Sequence, residues 1–515
     1  MYQPANISSP LSPVNVRNQR VKTHPYPFFD FIFKIKYNKT LLWVLVAGSI
    51  IQFGVFKLLY PYPDFISDSS SYIDTNLYQM SVNLWPIGYS KFILFIHNIS
   101  HSDTLLIGIQ YLLLQMSLIY FFYTFLYFYR PAKNTTIILY IFLFFNPLFL
   151  YLSNCVLSDA LFAALTIVFL CQFLWILYRP TLSMVLIQAL IISLAFTIRY
   201  TALYYPLVAL VGLVISRYKP SLKIVGFLLS LALMLPFYRY TQLKTKEVTG
   251  TAEFSVFGGW QIANNALYMY DHIQVDSNLL PLDTKELDRV VRDFYKKVPK
   301  EYREFDPFPG TYFIKVPYAV LKPYMKSKYS VNNASDQFLA WGKVSPIYRK
   351  YGTYLIMQHP GAFMRYYLWL NTKNYFVPHL EKFGSYNVLS TQVTTAVQNW
   401  FDYIVPDIHA VSATAQGKIF YIYPMIFMLL NVFYIAKMII LSITGGAKKM
   451  SLYFKKTLFF ISSFLIVNFV FSILATPVVL RYQIVPFIIL LAYSLLLLEF
   501  PENQNQTDNS KIVLE

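Results

Sequence analysis

Residues 158–179 read SDALFAALTIVFLCQFLWILYR. Between Asp159 and Arg179 no charged side chain interrupts the apolar run, and a bilayer core takes about 20 such residues in a helix. The stretch predicts a membrane-spanning helix with an acid at one end and an arginine at the other. Reading outward by the same criterion, apolar runs predict spans at 41–60, 104–129, 135–152, 156–177, 181–198, 201–216, 222–238, 417–440, 457–475 and 480–499. The piece 87–99 is too short to cross and is expected to lie at the interface.

Composition agrees. Of 515 residues, 56% are hydrophobic, 19% aromatic and 13% charged, against about 25% charged in soluble domains. The expected class is an all-α polytopic membrane protein, because a β-barrel would show short alternating segments instead. The net charge of +18 is accounted for by basic loops that set topology and meet anionic lipid, so no nucleic-acid partner is expected. Cys155 and Cys171 lie too far apart along one helical run to form a disulfide. The sequence holds no compact metal motif, and its acidic residues lack a ligand spacing. No cofactor is therefore expected, with a divalent ion left open.

Arginine and lysine in short loops orient the chain. Arg17, Arg20, Lys22, Lys34, Lys36 and Lys39 place a tail, 1–40, in the cytoplasm. Alternation then puts Arg130/Lys133, Arg179, Arg217/Lys219/Lys223 and Lys448/Lys449/Lys455/Lys456 on the same side. The expected division is a transmembrane module 41–238 including the outer loop 61–103, an exterior domain 239–416, closing helices 417–499 and a polar tail 500–515. The exterior domain would be either a cover for the bundle or a lid and acceptor platform.

In this topology Asp68, Asp159, Arg199 and Arg481 all fall at the non-cytoplasmic edge. Charges there are costly and are functional hypotheses by default. Asp64 and Asp68 suit a general base, although their Pro-Asp and Ser-Asp-Ser contexts by themselves favour helix caps or turns. Asp159 suits a catalytic role, and equally the dipole of the helix it begins. Arg199 and Arg481 run against the positive-inside bias. They suit a bidentate phosphate clamp, or anchoring to lipid headgroups.

These residues resemble the GT-C class of integral-membrane glycosyltransferases, especially the branch of protein mannosyltransferases and lipid A aminoarabinose transferases. The resemblance rests on Asp68-Ser69 with Tyr72, the run Trp85-Pro86-Ile87-Gly88-Tyr89-Ser90, Ser158-Asp159-Ala160-Leu161-Phe162, Arg199-Tyr200, and Arg481-Tyr482 with Pro486. It covers mainly 41–240 and 456–500. The segment FGGWQIANNALYMY (257–270) is similar to loops near the donor site. Where the class has two adjacent acids, this chain has Asp68-Ser69.

The resemblance implies a GT-C-like bundle of about 10 or 11 spans with interfacial helices in the first outer loop. It implies a polyprenyl-phosphate sugar donor and a lipid, glycan or protein acceptor. Transfer would take place on the outer face of a membrane, the bacterial inner membrane being expected. Asp68, Asp64 and Asp159 would be catalytic, Arg199 and Arg481 would bind the donor phosphate, and Tyr72, Tyr89, Tyr200 and Tyr482 would position substrate. Relatives with phosphate-monoester donors generally need no metal. The alternatives are a polysaccharide polymerase or ligase using a lipid-linked oligosaccharide, and a transporter or flippase for an anionic substrate.

Overall fold

The computed structural model describes residues 26–304, 309–475 and 477–499, so the tail 500–515 and most of the tail 1–40 lie outside the described residues. The chain is an all-α polytopic membrane protein, with no strand among the described residues. Among the described residues eight helices are long and apolar enough to cross a membrane: Lys36–Leu59, Asp103–Tyr129, Lys133–Asn154, Asp159–Tyr178, Pro220–Thr249, Ala415–Ile443, Leu452–Leu474 and Leu480–Glu499. We label five helices that carry the site: α1 (Ser67–Leu77), α2 (Ile87–His97), α3 (Asp159–Tyr178), α4 (Leu182–Ile198) and α5 (Leu452–Leu474).

Two of the ten expected spans are shorter than a full crossing. Helix α4 stops at Ile198 and the next apolar helix runs only from Tyr205 to Ile215. Between them Arg199 is extended (φ −148°, ψ 136°) and Tyr200–Tyr204 forms a 3₁₀ turn. The break carries Arg199 off the helix surface. The expected span 135–152 is bent as well. It divides at Asn146-Pro147 into Lys133–Phe144 and Leu148–Asn154, because proline cannot continue the ladder. Gln52 Nε2 donates to the freed Phe144 carbonyl at 2.9 Å, the repair that buried backbone requires in lipid.

Helix Pro220–Thr249 continues well past the expected 238 and ends on Gly250 at φ +80°. At about 1.5 Å per residue it outreaches a ~30 Å bilayer core and leads into the segment expected as one exterior domain. That segment has two parts. Described residues within 256–367 build a second core around Trp260, Trp341, Tyr348 and Tyr351, joined by Met80 and Val82 of the first outer loop. Residues 375–408, including Tyr375, Phe383, Tyr386 and Trp400, pack into the core of the helical bundle.

The end carrying the basic loops is capped by those loops. Lys456 Nζ donates to the Ile215 carbonyl at 2.5 Å and Lys223 Nζ to Val214 at 2.7 Å, so cations meet the open C-terminus of helix Tyr205–Ile215. Residues Phe28–Phe33, expected within a tail, form a short helix whose Phe28 packs edge-on to Tyr127 and Trp175.

Close approach at one glycine sets the opposite end. A Cβ on Gly88 would lie 2.3 Å from the Thr197 backbone oxygen, so only glycine lets α2 rest against the last turn of α4, two residues before Arg199. Gly88→Ala is expected to lower stability by about 1–3 kcal/mol, the usual cost of overpacking. Gly54→Ala, with nothing within 4 Å of the added carbon, should not. Thermal unfolding of both variants in detergent checks the contrast.

Candidate active site

Five remote segments deliver charge to one point. Asp68 is the second residue of α1, and Asp159 is the first of α3. Arg199 follows α4, and Arg481 lies in the 3₁₀ turn Leu480–Gln483. Glu381 opens the turn Glu381–Gly384 with φ +49°, a left-handed conformation that is uncommon for a residue with a side chain.

The Asp159 carboxylate is shared between both arginines. Arg199 Nη1 donates to Oδ1, and Arg481 Nη1 donates to Oδ2 at 2.7 Å. Arg481 Nε donates to Glu381 Oε2 at 2.9 Å, and Lys315 Nζ donates to Glu381 Oε1. The remaining Arg481 nitrogen, Nη2, faces Asp68 Oδ2 at 3.8 Å. The guanidinium carbons of Arg199 and Arg481 sit 4.2 and 4.3 Å from the Tyr482 ring centroid, within cation–π range.

Exposure sorts these groups. The side chains of Asp159, Glu381 and Arg481 are 3%, 7% and 5% exposed, whereas Asp68 and Arg199 are 26% and 16% exposed. Asp68 is therefore the one acid of the cluster open to a ligand. It is not a cap either, because Ser69 Oγ takes the Ile66 N–H at 3.1 Å.

The open side is a cavity of about 340 Å³. Asp68, Asp159, Arg199 and Arg481 line its charged end. Phe162, Ile198, Tyr204, Phe464, Phe471 and Val485 supply an apolar wall drawn from membrane helices. Phe257, Gly258 and Gln261 from the 257–270 segment also line it. A second cavity, about 250 Å³, lies on the Glu381 side and is lined by Lys315, His379, Lys382 and Ser385 among others. Pro477 borders both.

The four expected charges thus meet, and Tyr72, Tyr200 and Tyr482 line the first cavity with them. Tyr72 is held by a 3.1 Å hydrogen bond with Ser158 Oγ, and Tyr200 packs on Phe254 with ring centroids 4.5 Å apart. Three expectations need correction. Asp64 lies outside the cavity lining. It is buried and accepts the Asn387 backbone N–H at 2.9 Å, while its own backbone pairs with Asn154 and Val156. Tyr89 is fully buried and donates to Gln110 at 2.6 Å. Asp159 lines the cavity, but both its oxygens are engaged by arginines.

Sequence reading missed Glu381, Lys382 and Lys315. The only local signal for Glu381 and Lys382 was VPHLEKFG (377–384), an ordinary charged loop within a segment expected as a cover or as a lid and acceptor platform. Among the described residues no group of three or more His, Cys, Asp or Glu side chains is placed to hold a metal ion.

Burial pushes the Asp64 carboxyl up to about 7, against hydrogen bonding and the field of Lys382. At Glu381 burial raises the pKa, yet Arg481, Lys315 and Lys382 outweigh it and hold the carboxyl well below its usual range. Burial lowers the Lys382 ammonium, opposed by Glu381 and Asp68.

No family model, curated protein or solved structure matches the chain.

Two outcomes are expected. Arg481→Met takes one of two cationic partners from each of the buried acids Asp159 and Glu381 and should cost about 3–5 kcal/mol, read as a large drop in melting temperature. Asp68→Asn loses one exposed 3.8 Å contact and should cost no more than about 1 kcal/mol. The second outcome concerns pH. The folded Asp64 pKa lies above its unfolded value, so its contribution is fully present below about pH 4 and is lost as pH rises through about 7. Asp64→Asn, which stays neutral, should gain stability relative to wild type between pH 5 and 8, measured as the difference in melting temperature.

Proposed function

We propose that this chain is a glycosyltransferase that moves a sugar from a polyprenyl-phosphate donor to an acceptor hydroxyl at the non-cytoplasmic face of a membrane. One observation carries the reading. A single cavity joins an apolar wall of membrane helices to an end bearing one accessible carboxylate and one partly exposed guanidinium. An amphiphilic donor needs both environments, and so does its reaction.

Asp68 is the general base in this reading. It takes the proton of the acceptor hydroxyl as that oxygen attacks the anomeric carbon. The bond from the anomeric carbon to the phosphate oxygen breaks, the electron pair leaves with polyprenyl phosphate, and the configuration inverts. Arg199 meets the leaving phosphate. It spends only Nη1 on Asp159, and guanidinium offers five N–H donors. Arg481 is almost wholly buried and spends Nε on Glu381 and Nη1 on Asp159, and it positions the others. Because these charges are held before substrate arrives, they stabilise developing negative charge without reorganising. Transporters place their charges near the bilayer midplane, and the gathering of these charges at one end of the bundle favours transfer over transport. The bacterial inner membrane remains the proposed location.

The test is release of free polyprenyl phosphate by detergent-purified protein given a panel of polyprenyl-phosphate sugars and a crude membrane acceptor fraction. Wild type should release it only with acceptor. Asp68→Asn should be slower by roughly 10²–10⁴-fold, the usual contribution of a general base, while keeping its melting temperature. Wild-type turnover in that variant would remove Asp68 from the role. Absence of release from every donor by folded protein would remove the transferase reading.

A further inference from the structure

The cluster binds its own cations unequally. Glu381 gives one oxygen to Lys315 and the other to Arg481, and Asp159 gives one to each arginine. Lys382 is left over. Among the described residues its ammonium has no hydrogen bond and no carboxylate within ion-pair distance, although Glu381, Asp68, Lys315 and Arg481 all lie within its electrostatic range. It is half-buried and lines the second cavity.

The Lys382 ammonium reaches the cavity with three donors to offer a ligand. Lys315 and Arg481 add positive field against the negative field of Asp68 and of Glu381, which also lines the cavity but has both oxygens engaged. Ser385 and Thr311 bring hydroxyls to the wall, and about 250 Å³ is far more than one water needs. The loop that forms this wall is also strained. Glu381, Asn387, Val388 and Leu389 all have positive φ, between 46° and 64°. For a β-branched residue such as Val388 that is a true outlier, and strain of this kind persists where surrounding structure enforces it, often at ligand sites.

We propose that the second cavity is an anion-binding site, with Lys382 Nζ as the cation that receives a phosphate or carboxylate. Resting on the transferase reading, the anion is either the phosphate of the lipid donor or an acidic group on the acceptor. The Arg481–Glu381 pair then forms the wall between two ligand sites, with Asp68 beside it.

The site is tested by binding alone, without turnover. Full-length protein in detergent is titrated with farnesyl phosphate and, separately, with a hexose 1-phosphate, using wild type, Lys382→Met, Lys382→Arg and Arg199→Ala. Lys382→Met removes an unpaired charge, so it should fold with an unchanged or higher melting temperature. It should weaken at least one probe by roughly 10–100-fold, as loss of a charged hydrogen bond does, and Lys382→Arg should restore most of that affinity. Weakened farnesyl phosphate would place the lipid donor's phosphate in this cavity. Weakened hexose phosphate, with farnesyl phosphate sensitive only to Arg199→Ala, would make it the acceptor's site. Wild-type affinity of folded Lys382→Met for both probes would overturn the proposal. Because no sugar transfer is measured, this result stands apart from the fate of the transferase reading.

Discussion

The structure is organised around the guanidinium of Arg481. It is almost wholly buried and reaches Asp159, Glu381 and Asp68 with its three nitrogens. Removing such charges from water costs several kcal/mol per ion, and only good mutual geometry offsets that cost. The fold must therefore bring residues 159, 381 and 481 together or leave a bare charge in a low-dielectric interior. Much of the local structure serves this convergence: the helix break after Ile198, the 3₁₀ turn before the last helix, and the left-handed backbone at Glu381.

The same network separates two environments. On one side membrane helices supply phenylalanine, isoleucine and valine, and the charges appear only at the cavity's end. On the other side loops supply lysine, histidine and hydroxyls. A shared wall of paired ions is rigid because each member is held from several directions, and Tyr482 beneath both guanidiniums limits their rotation.

Sequence patterns located some features well and others hardly at all. The long apolar helices were readable because hydropathy is a property of consecutive residues. Asp68, Asp159, Arg199 and Arg481 were readable because charge at a span's edge is conspicuous against apolar neighbours. Asp64 was equally conspicuous, yet it turned inward to tie the loop at Asn387 to the loop at Cys155. Tyr89 stood in a suggestive motif, but the glycine before it was the residue doing the fitting, at the contact with Thr197. Glu381 and Lys382 stood among many charges in a polar stretch, so nothing local marked them.

Hydropathy and the distribution of basic loops establish the class of this protein and most of its long apolar helices, and they mark the end of the bundle where unusual charges collect. Those properties follow from the cost of placing each residue in lipid, which is summed along the chain and needs no knowledge of folding. Which acid stays accessible, which are consumed in pairing and which cation of the cluster is left without a partner depend on distances between remote residues such as Asp159 and Arg481, 322 positions apart. Coulomb energy and desolvation act through space, so those assignments exist only once the chain has closed on itself.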